Sequence, residues 1–514
     1  MMRGMSFMRF RQLAGLASVM ALACAGQALA AGPDSVLSAS QTLPPSIAQA
    51  LKAAGLPASS LSVWVQPLDQ RTPRLSVAAD VPRRMASVMK LLTTGVALRT
   101  LGPAFTWETV AALSGRLDAD GVLHGDVLIK ASGDPSLDGM RLSAALQQWR
   151  DAGLREIRGD VRVDRSAMSL PPHDPAAFDG QPLKPYNAGP DAFLLAHEAV
   201  SMMWRPDASR PGWAQVSLNP ALAGVKLDAQ VKLDPQAACG AWREALSLNV
   251  SQADAVGDGT PLPQRTIKLR GSYPAACGNQ GWPIRWPQVQ PLEHSARVLE
   301  AAWQALGGRL RGAVRESAWP ASASPWVKWT SPPLSEVIRD INKFSNNVMA
   351  RQLLITLGRG ADGSPATIES GRAVVGEHVR EATRRPGEVR SACEGEALVL
   401  DNGAGLSRTE AASAHCLGRW IEVMWADPLM PEWLASLPVA GVDGTARRMT
   451  SAVGRAHLKT GSLDDVTALA GVVQDEAGRR HVVVAVVNDP KAENARPVMQ
   501  AVLGWAVGGH APAP

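Results

Sequence analysis

The two ends of this chain each carry part of one antiparallel sheet. Near the start, Pro45 to Gly55 has the spacing of a short helix, with Ile47, Ala50, Leu51 and Ala54 apolar. Leu61 to Pro67 then alternates as a strand, with Leu61, Val63 and Val65 on one face. Turn residues Asp69 to Pro73 lead to a second strand around Arg74 to Ala78, and Met85 to Leu101 has helical periodicity. At the far end, Ala456 to Leu463, Thr467 to Gln474 and Arg480 to Val487 read as three strands. Asp475-Glu476-Ala477-Gly478 is the hairpin turn between the last two, and Asn494 to Val507 is a closing helix. Three strands and a hairpin make one sheet only if the chain ends meet. What lies between must leave that sheet and return to it.

The middle has a different texture. From about residue 106 to 325 it is rich in short strands and turns: Val122 to Ala131, Ile157 to Asp164, Trp213 to Leu218, Val225 to Leu233, Leu246 to Val250 and Arg265 to Tyr273. This predicts one or two inserted β-rich domains, ending near a helix over Ser295 to Gly307. From Leu334 to Leu357 the pattern is helical again. The division expected is 1–30, 31–105, 106–325 and 326–514. Tryptophan is overused, with 16 Trp against 2 Tyr and 6 Phe. Trp204, Trp213, Trp242, Trp282, Trp286, Trp303 and Trp319 fall in or beside the middle region. Core packing is the simpler reading of them, and stacking on sugar or peptide the sharper one.

Residues 1–30 do not belong to the fold. Arg3, Arg9 and Arg11 precede an apolar stretch from about Leu13 to Ala25, and Ala28-Leu29-Ala30 is a small-x-small cleavage pattern. This is the plan of a secretory signal cleaved near Ala30, and the apolar stretch is too short for a membrane span. A lipoprotein reading through Cys24 fits poorly, because Ala21-Leu22-Ala23 lacks the usual leucine. Without the signal the net charge falls from +5 to +2, so the basic balance implies no acidic partner. With no basic run beside aromatic residues, nucleic acid is not expected. Of five cysteines, Cys239, Cys277, Cys393 and Cys416 remain. In an exported chain an even count favours disulfides. Three pairings are open, of which proximity favours Cys239–Cys277 with Cys393–Cys416. Four free thiols are the alternative. No spacing suggests a metal site or cofactor.

Three short motifs carry the chemistry. Ser87-Val88-Met89-Lys90 is the one SxxK in the chain. Three residues are nearly one helical turn, so Ser87 and Lys90 share a face. A lysine placed there can take the hydroxyl proton if burial lowers its own pKa. Ser345-Asn346-Asn347 is an SxN tripeptide in the helical segment. The same pattern at Ser217–Asn219 and Ser247–Asn249 lies in strand-like runs. Lys459-Thr460-Gly461-Ser462 lies on the first C-terminal strand, where Lys and Thr can bind a carboxylate and the glycine permits close approach to the strand.

The order SxxK, SxN, KTG resembles the signature of serine penicillin-binding proteins and β-lactamases. Gly125-Asp126-Val127-Leu128-Ile129 with Gly133-Asp134-Pro135 is similar to a segment of D-alanyl-D-alanine carboxypeptidases of the penicillin-binding-protein-4 type. So are Tyr186-Asn187-Ala188, the run Asn402 to Arg408, and Val442-Asp443-Gly444-Thr445. The likeness runs from about residue 45 to 505. It departs at Gly403-Ala404-Gly405, usually Gly-Ser-Gly, at Gly189-Pro190-Asp191, where a Pro-Pro-Ser-like run is expected, and at Asn346, often Asp.

The resemblance implies an α/β (α+β) fold: a β-lactamase/transpeptidase-like domain whose antiparallel sheet is flanked by helices, plus the insertion. It implies a serine DD-peptidase cleaving D-Ala-D-Ala ends or D-Ala–diaminopimelate cross-links. Ser87 would be the nucleophile and Lys90 its base. Ser345 would relay a proton to the leaving amine with electrostatic support from Lys459, and Asn347 would orient Lys90 and hold the substrate amide. Thr460, Gly461 and Ser462 would bind substrate. The expected partners are peptidoglycan stem peptides and, as covalent inhibitors, β-lactams. The expected place is the periplasm, with membrane association at most peripheral. A β-lactamase or esterase on the same scaffold, or a non-catalytic wall-binding protein, are the competing readings. Turnover of penicillin separates the first, and muropeptide binding without D-Ala release the second.

Overall fold

Both ends of the chain meet in one five-stranded antiparallel sheet. Across it the strands are Ala456–Leu463, Val466–Gln474, Arg480–Asn488, Leu61–Pro67 and Leu75–Val77. The ends are joined where Leu61 pairs with Val487 and Val63 with Ala485. The computed structural model describes residues 42–251 and 262–508. The expected signal segment, with Cys24 and the cleavage site, lies outside the described residues.

Strand periodicity decides which core each residue joins. Val482, Val484 and Val486 pack on one side with Trp64, Leu92, Leu417 and Trp420. Val483, Ala485 and Val487 pack on the other with Ile47, Leu51, Val498 and Leu503. Helices Pro45–Ala54 and Arg496–Val507 supply the second group, and Lys90–Leu101 and Ala414–Ala426 the first. A strand covered on both faces reads as an unbroken apolar run. That is why Leu61–Pro67, expected to bury one face, is buried along its whole length. Helix Lys90–Leu101 is likewise buried all round from Lys90 to Leu98.

The middle of the chain has its own sheet and core. Glu108–Leu117 pairs antiparallel with Val122–Lys130 and Val327–Thr330. Glu156–Ile157 and Val161–Asp164 run parallel to Val122–Lys130, and Arg309–Leu310 and Val314–Glu316 follow outside them. The strand expected over Ile157 to Asp164 is thus interrupted. At Gly159 a Cβ would lie 2.1 Å from the Asp126 carboxylate and 2.6 Å from the Gly125 carbonyl. Two three-stranded sheets complete the region. Strand Glu108–Leu117 and helix Gly139–Asp151 were not legible in the sequence, but Trp149 of that helix meets Trp303 of helix Glu293–Ala305 at 5.9 Å. Trp204, Trp242, Trp286 and Trp303 are core residues, whereas Trp213, Trp282 and Trp319 are half-buried. Cys239 is bonded to Cys277 and Cys393 to Cys416, the two pairings that proximity favours.

Leu469 sits fully buried in the five-stranded sheet. Truncation there leaves a cavity that a rigid sheet cannot fill, so Leu469→Ala is expected to cost about 2–5 kcal/mol in denaturant unfolding.

Candidate active site

Ser87 and Lys90 lie where a short 3-10 turn, Ala86–Met89, runs into helix Lys90–Leu101. Ala86 adopts a left-handed backbone, φ 47°. The turn leaves Ser87 partly exposed while Lys90 is fully buried. The lysine Nζ lies 2.9 Å from Ser87 Oγ and 2.6 Å from Asn347 Oδ1, and it also donates to the Ala404 carbonyl. Three acceptors saturate an ammonium, and a neutral amine in the same place can accept the Ser87 proton. Burial, with Lys459 and Arg351 nearby, holds Lys90 well below the usual lysine range, against an opposing pull from Glu410.

The helix expected over Leu334 to Leu357 is broken. Leu334–Lys343 ends before Ser345, which is left-handed at φ 56°, and Asn347–Leu357 begins after it. The Asn346 side chain accepts from Met349 N at 3.1 Å and caps the second helix. Asp can cap in the same way, so Asn346 is a neutral departure. The break frees Ser345 from the helix surface, and its Oγ lies 2.9 Å from Lys459 Nζ.

Lys459 is fully buried on the edge strand and also donates to the Thr460 carbonyl at 2.7 Å. Burial lowers it to about 7. A Cβ on Gly461 would stand 2.7 Å from the Met85 carbonyl and 3.0 Å from Ser87 N, so only glycine lets this strand approach the nucleophile turn. Thr460 is half-buried and Ser462 exposed, and Thr460 Oγ1 bonds Thr445 Oγ1 at 2.7 Å. All eight residues singled out in the sequence therefore converge on the ground between the turn, the broken helix and the edge strand.

Other groups were not found from the sequence. The loop through Gly403 and Gly405 has left-handed φ at both, and a Cβ on Gly405 would fall 1.8 Å from the Ala86 carbonyl. Ala404 between them meets Lys90 through its carbonyl, which any residue has, so its departure from serine leaves the Lys90 contact intact. Lys343 pairs with Asp443 at 2.6 Å and ties the broken helix to the segment before the edge strand. Arg351 and Gln352 reach the middle region, at the carbonyls of Ala188 (2.8 Å) and Gly133 (2.9 Å). The quoted resemblances around Gly133, Tyr186 and Asp443 were the available signal for these contacts.

A helix-flanked antiparallel sheet, with a serine turn and a lysine-bearing edge strand facing each other, defines the transpeptidase-like fold class. The chain belongs to the D-Ala-D-Ala carboxypeptidase 3 (S13) family, which matches residues 43–507. It is a serine DD-peptidase of peptidoglycan. It is 29% identical over 432 residues to a D-alanyl-D-alanine carboxypeptidase of Actinomadura sp. (strain R39), covering 79% of this chain and 73% of the other. It is 22% identical over 409 residues to the D-alanyl-D-alanine carboxypeptidase DacB of Haemophilus influenzae, covering 78% and 80%. The crystal structure of penicillin binding protein 4 from Haemophilus influenzae superposes with a TM-score of 0.69 at 20% identity, over 89% of this chain and 98% of that one.

The Gly405 contact gives a direct check. Gly405→Ala is expected to cost about 1–3 kcal/mol and to slow acylation by penicillin at least about tenfold, read by thermal melts and fluorescent-penicillin labelling.

Proposed function

We propose that Ser87 is the nucleophile of this DD-peptidase and Lys90 its general base. The observation that carries the reading is the buried Lys90 amine 2.9 Å from a partly exposed Ser87 hydroxyl. Ser87 Oγ attacks the carbonyl of the penultimate D-alanine of a stem peptide, and its proton passes to Lys90. The C–N bond breaks, and the leaving amine takes a proton through Ser345, which Lys459 supports. Asn347 orients Lys90 and holds the substrate amide. The backbone N–H groups of Ser87 and Ser462 receive the oxyanion, each worth about 3–4 kcal/mol by analogy with such donors. Thr460 and Ser462 bind the terminal carboxylate, and Gly461 lets their strand lie against the serine turn. Water then attacks the acyl-serine and restores Ser87. A terminal D-Ala and a D-Ala–diaminopimelate cross-link present the same bond to this chemistry. β-Lactams acylate the same serine.

The chain works in the periplasm after cleavage near Ala30, a reading supported by the charged, apolar and small-residue plan of residues 1–30. No helix among the described residues is long and apolar enough to cross a membrane. Residues 106–325 act as the inserted part, limiting access of large substrates or contacting glycan. Their separate sheets and core support an insertion between the two parts of the first domain, with strand Val327–Thr330 and Trp329 belonging to the inserted side of the second boundary.

Ser87→Ala is expected to abolish lasting fluorescent-penicillin labelling and all D-Ala release or cross-link cleavage from purified muropeptides, read by mass analysis. Unchanged release from the folded variant would sink the assignment. The rate should also depend on pH from both sides. Acidification protonates Lys90 and removes the base, and a rise through about 7 deprotonates Lys459 and weakens its support of Ser345. A bell-shaped acylation profile is the expected outcome.

A further inference from the structure

A buried carboxylate stands behind the site, and none of the steps above uses it. Glu410 is 1% exposed. Its Oε1 accepts from Asp401 N (3.1 Å) and Gly403 N (3.0 Å), and its Oε2 from Gly405 N (2.7 Å). Its own N–H donates to Ser407 Oγ at 3.0 Å. Every one of these side-chain partners is a donor, and a group that only accepts is a carboxylate. The three N–H groups belong to the loop whose Ala404 carbonyl receives Lys90. Gly403 and Gly405 flank that carbonyl, so a carboxylate gripping both sets the plane of the peptide between them.

The charges around Lys90 make the same point. Facing it are the buried cations Lys459 and Arg351, and Glu410 is the group whose charge favours a proton on Lys90. Asp401 faces Glu410 and Arg351 from the start of the loop. Burial raises the Glu410 carboxyl above the usual carboxylate range, and its three N–H donors offset that rise in part.

We propose that Glu410 is a positioning residue for Lys90: its carboxylate fixes the Ala404 carbonyl against the lysine and supplies the buried counter-charge that sets the lysine's working pH. The inference rests on Lys90 being the base. Glutamine in this place keeps the shape, loses the charge and turns a donor toward one backbone N–H.

The test is the pH profile of fluorescent-penicillin acylation for wild type, Glu410→Gln and Glu410→Asp. Loss of a nearby negative charge lowers an amine's proton affinity. Glu410→Gln should therefore move the acid limb down by about 0.5 pH unit or more and lower the plateau about tenfold. Glu410→Asp, which keeps the charge but shortens the reach, should lower the plateau with the acid limb at its wild-type position. An acid limb unmoved in Glu410→Gln overturns the proposal, whatever the plateau does, because a merely structural role would lower the rate alone. If Glu410→Gln does not fold, a displaced acid limb in Glu410→Asp overturns it. A wild-type enzyme that penicillin does not acylate would instead overturn the reading of Ser87 and Lys90, and this inference with it.

Discussion

A lysine without access to water sits at the junction of three distant segments. Lys90 is fully buried, and its amine, with N–H groups and a lone pair to satisfy, needs every one of its three partners. One is Ser87 on its own turn, one is Asn347 at the start of a later helix, and one is the Ala404 carbonyl of a glycine-bounded loop. Burying a polar group costs a few kcal/mol unless hydrogen bonds replace water. Shifting any of the three segments would leave that cost uncompensated. The same contacts that make the lysine tolerable hold the serine turn, the broken helix and the loop in register. The second buried lysine, Lys459, does this for the edge strand by meeting Ser345.

Close approach is the other half of the arrangement. Gly461 brings the edge strand, and Gly405 the loop, within backbone contact of the serine turn. Both approaches depend on the five-stranded sheet, which anchors the edge strand to the N-terminal hairpin through the valine-rich strand Arg480–Asn488. A left-handed Ala86 and a left-handed Ser345 are the local strain at this site. The packing of helices on both faces of the sheet overdetermines them.

The regular parts of the fold were legible where one periodicity dominated. Leu61–Pro67, Leu246–Val250 and Ala456–Leu463 begin and end where alternation and turn residues place them. Helix Ala414–Ala426 is not among the expected elements, although Cys416, Leu417, Trp420, Ile421 and Met424 recur at helical spacing behind the Ser413 cap. The break at Ser345 was also hidden. Apolar spacing continues across it, and the signal for it, the capping side chain of Asn346, is one residue long. At the site, the three motifs named the side chains that meet there, since lysine and serine at fixed spacing are visible without a structure. Glu410 was invisible, because its role lies in backbone N–H groups that no sequence pattern records.

By itself the sequence determined that the two chain ends share a sheet, that Ser87 and Lys90 lie on one face, and which residue types are available for acyl transfer. These follow from short-range periodicity and from side-chain chemistry. Only the tertiary structure decided which lysine meets which serine, that both lysines are dry, and that a carboxylate stands behind Lys90. Those outcomes depend on distant segments packing within a few ångströms, with Lys459 and Ser345 2.9 Å apart across 114 positions and Lys90 and Asn347 2.6 Å apart across 257. Burial and charge are properties of such packing and not of any stretch of chain.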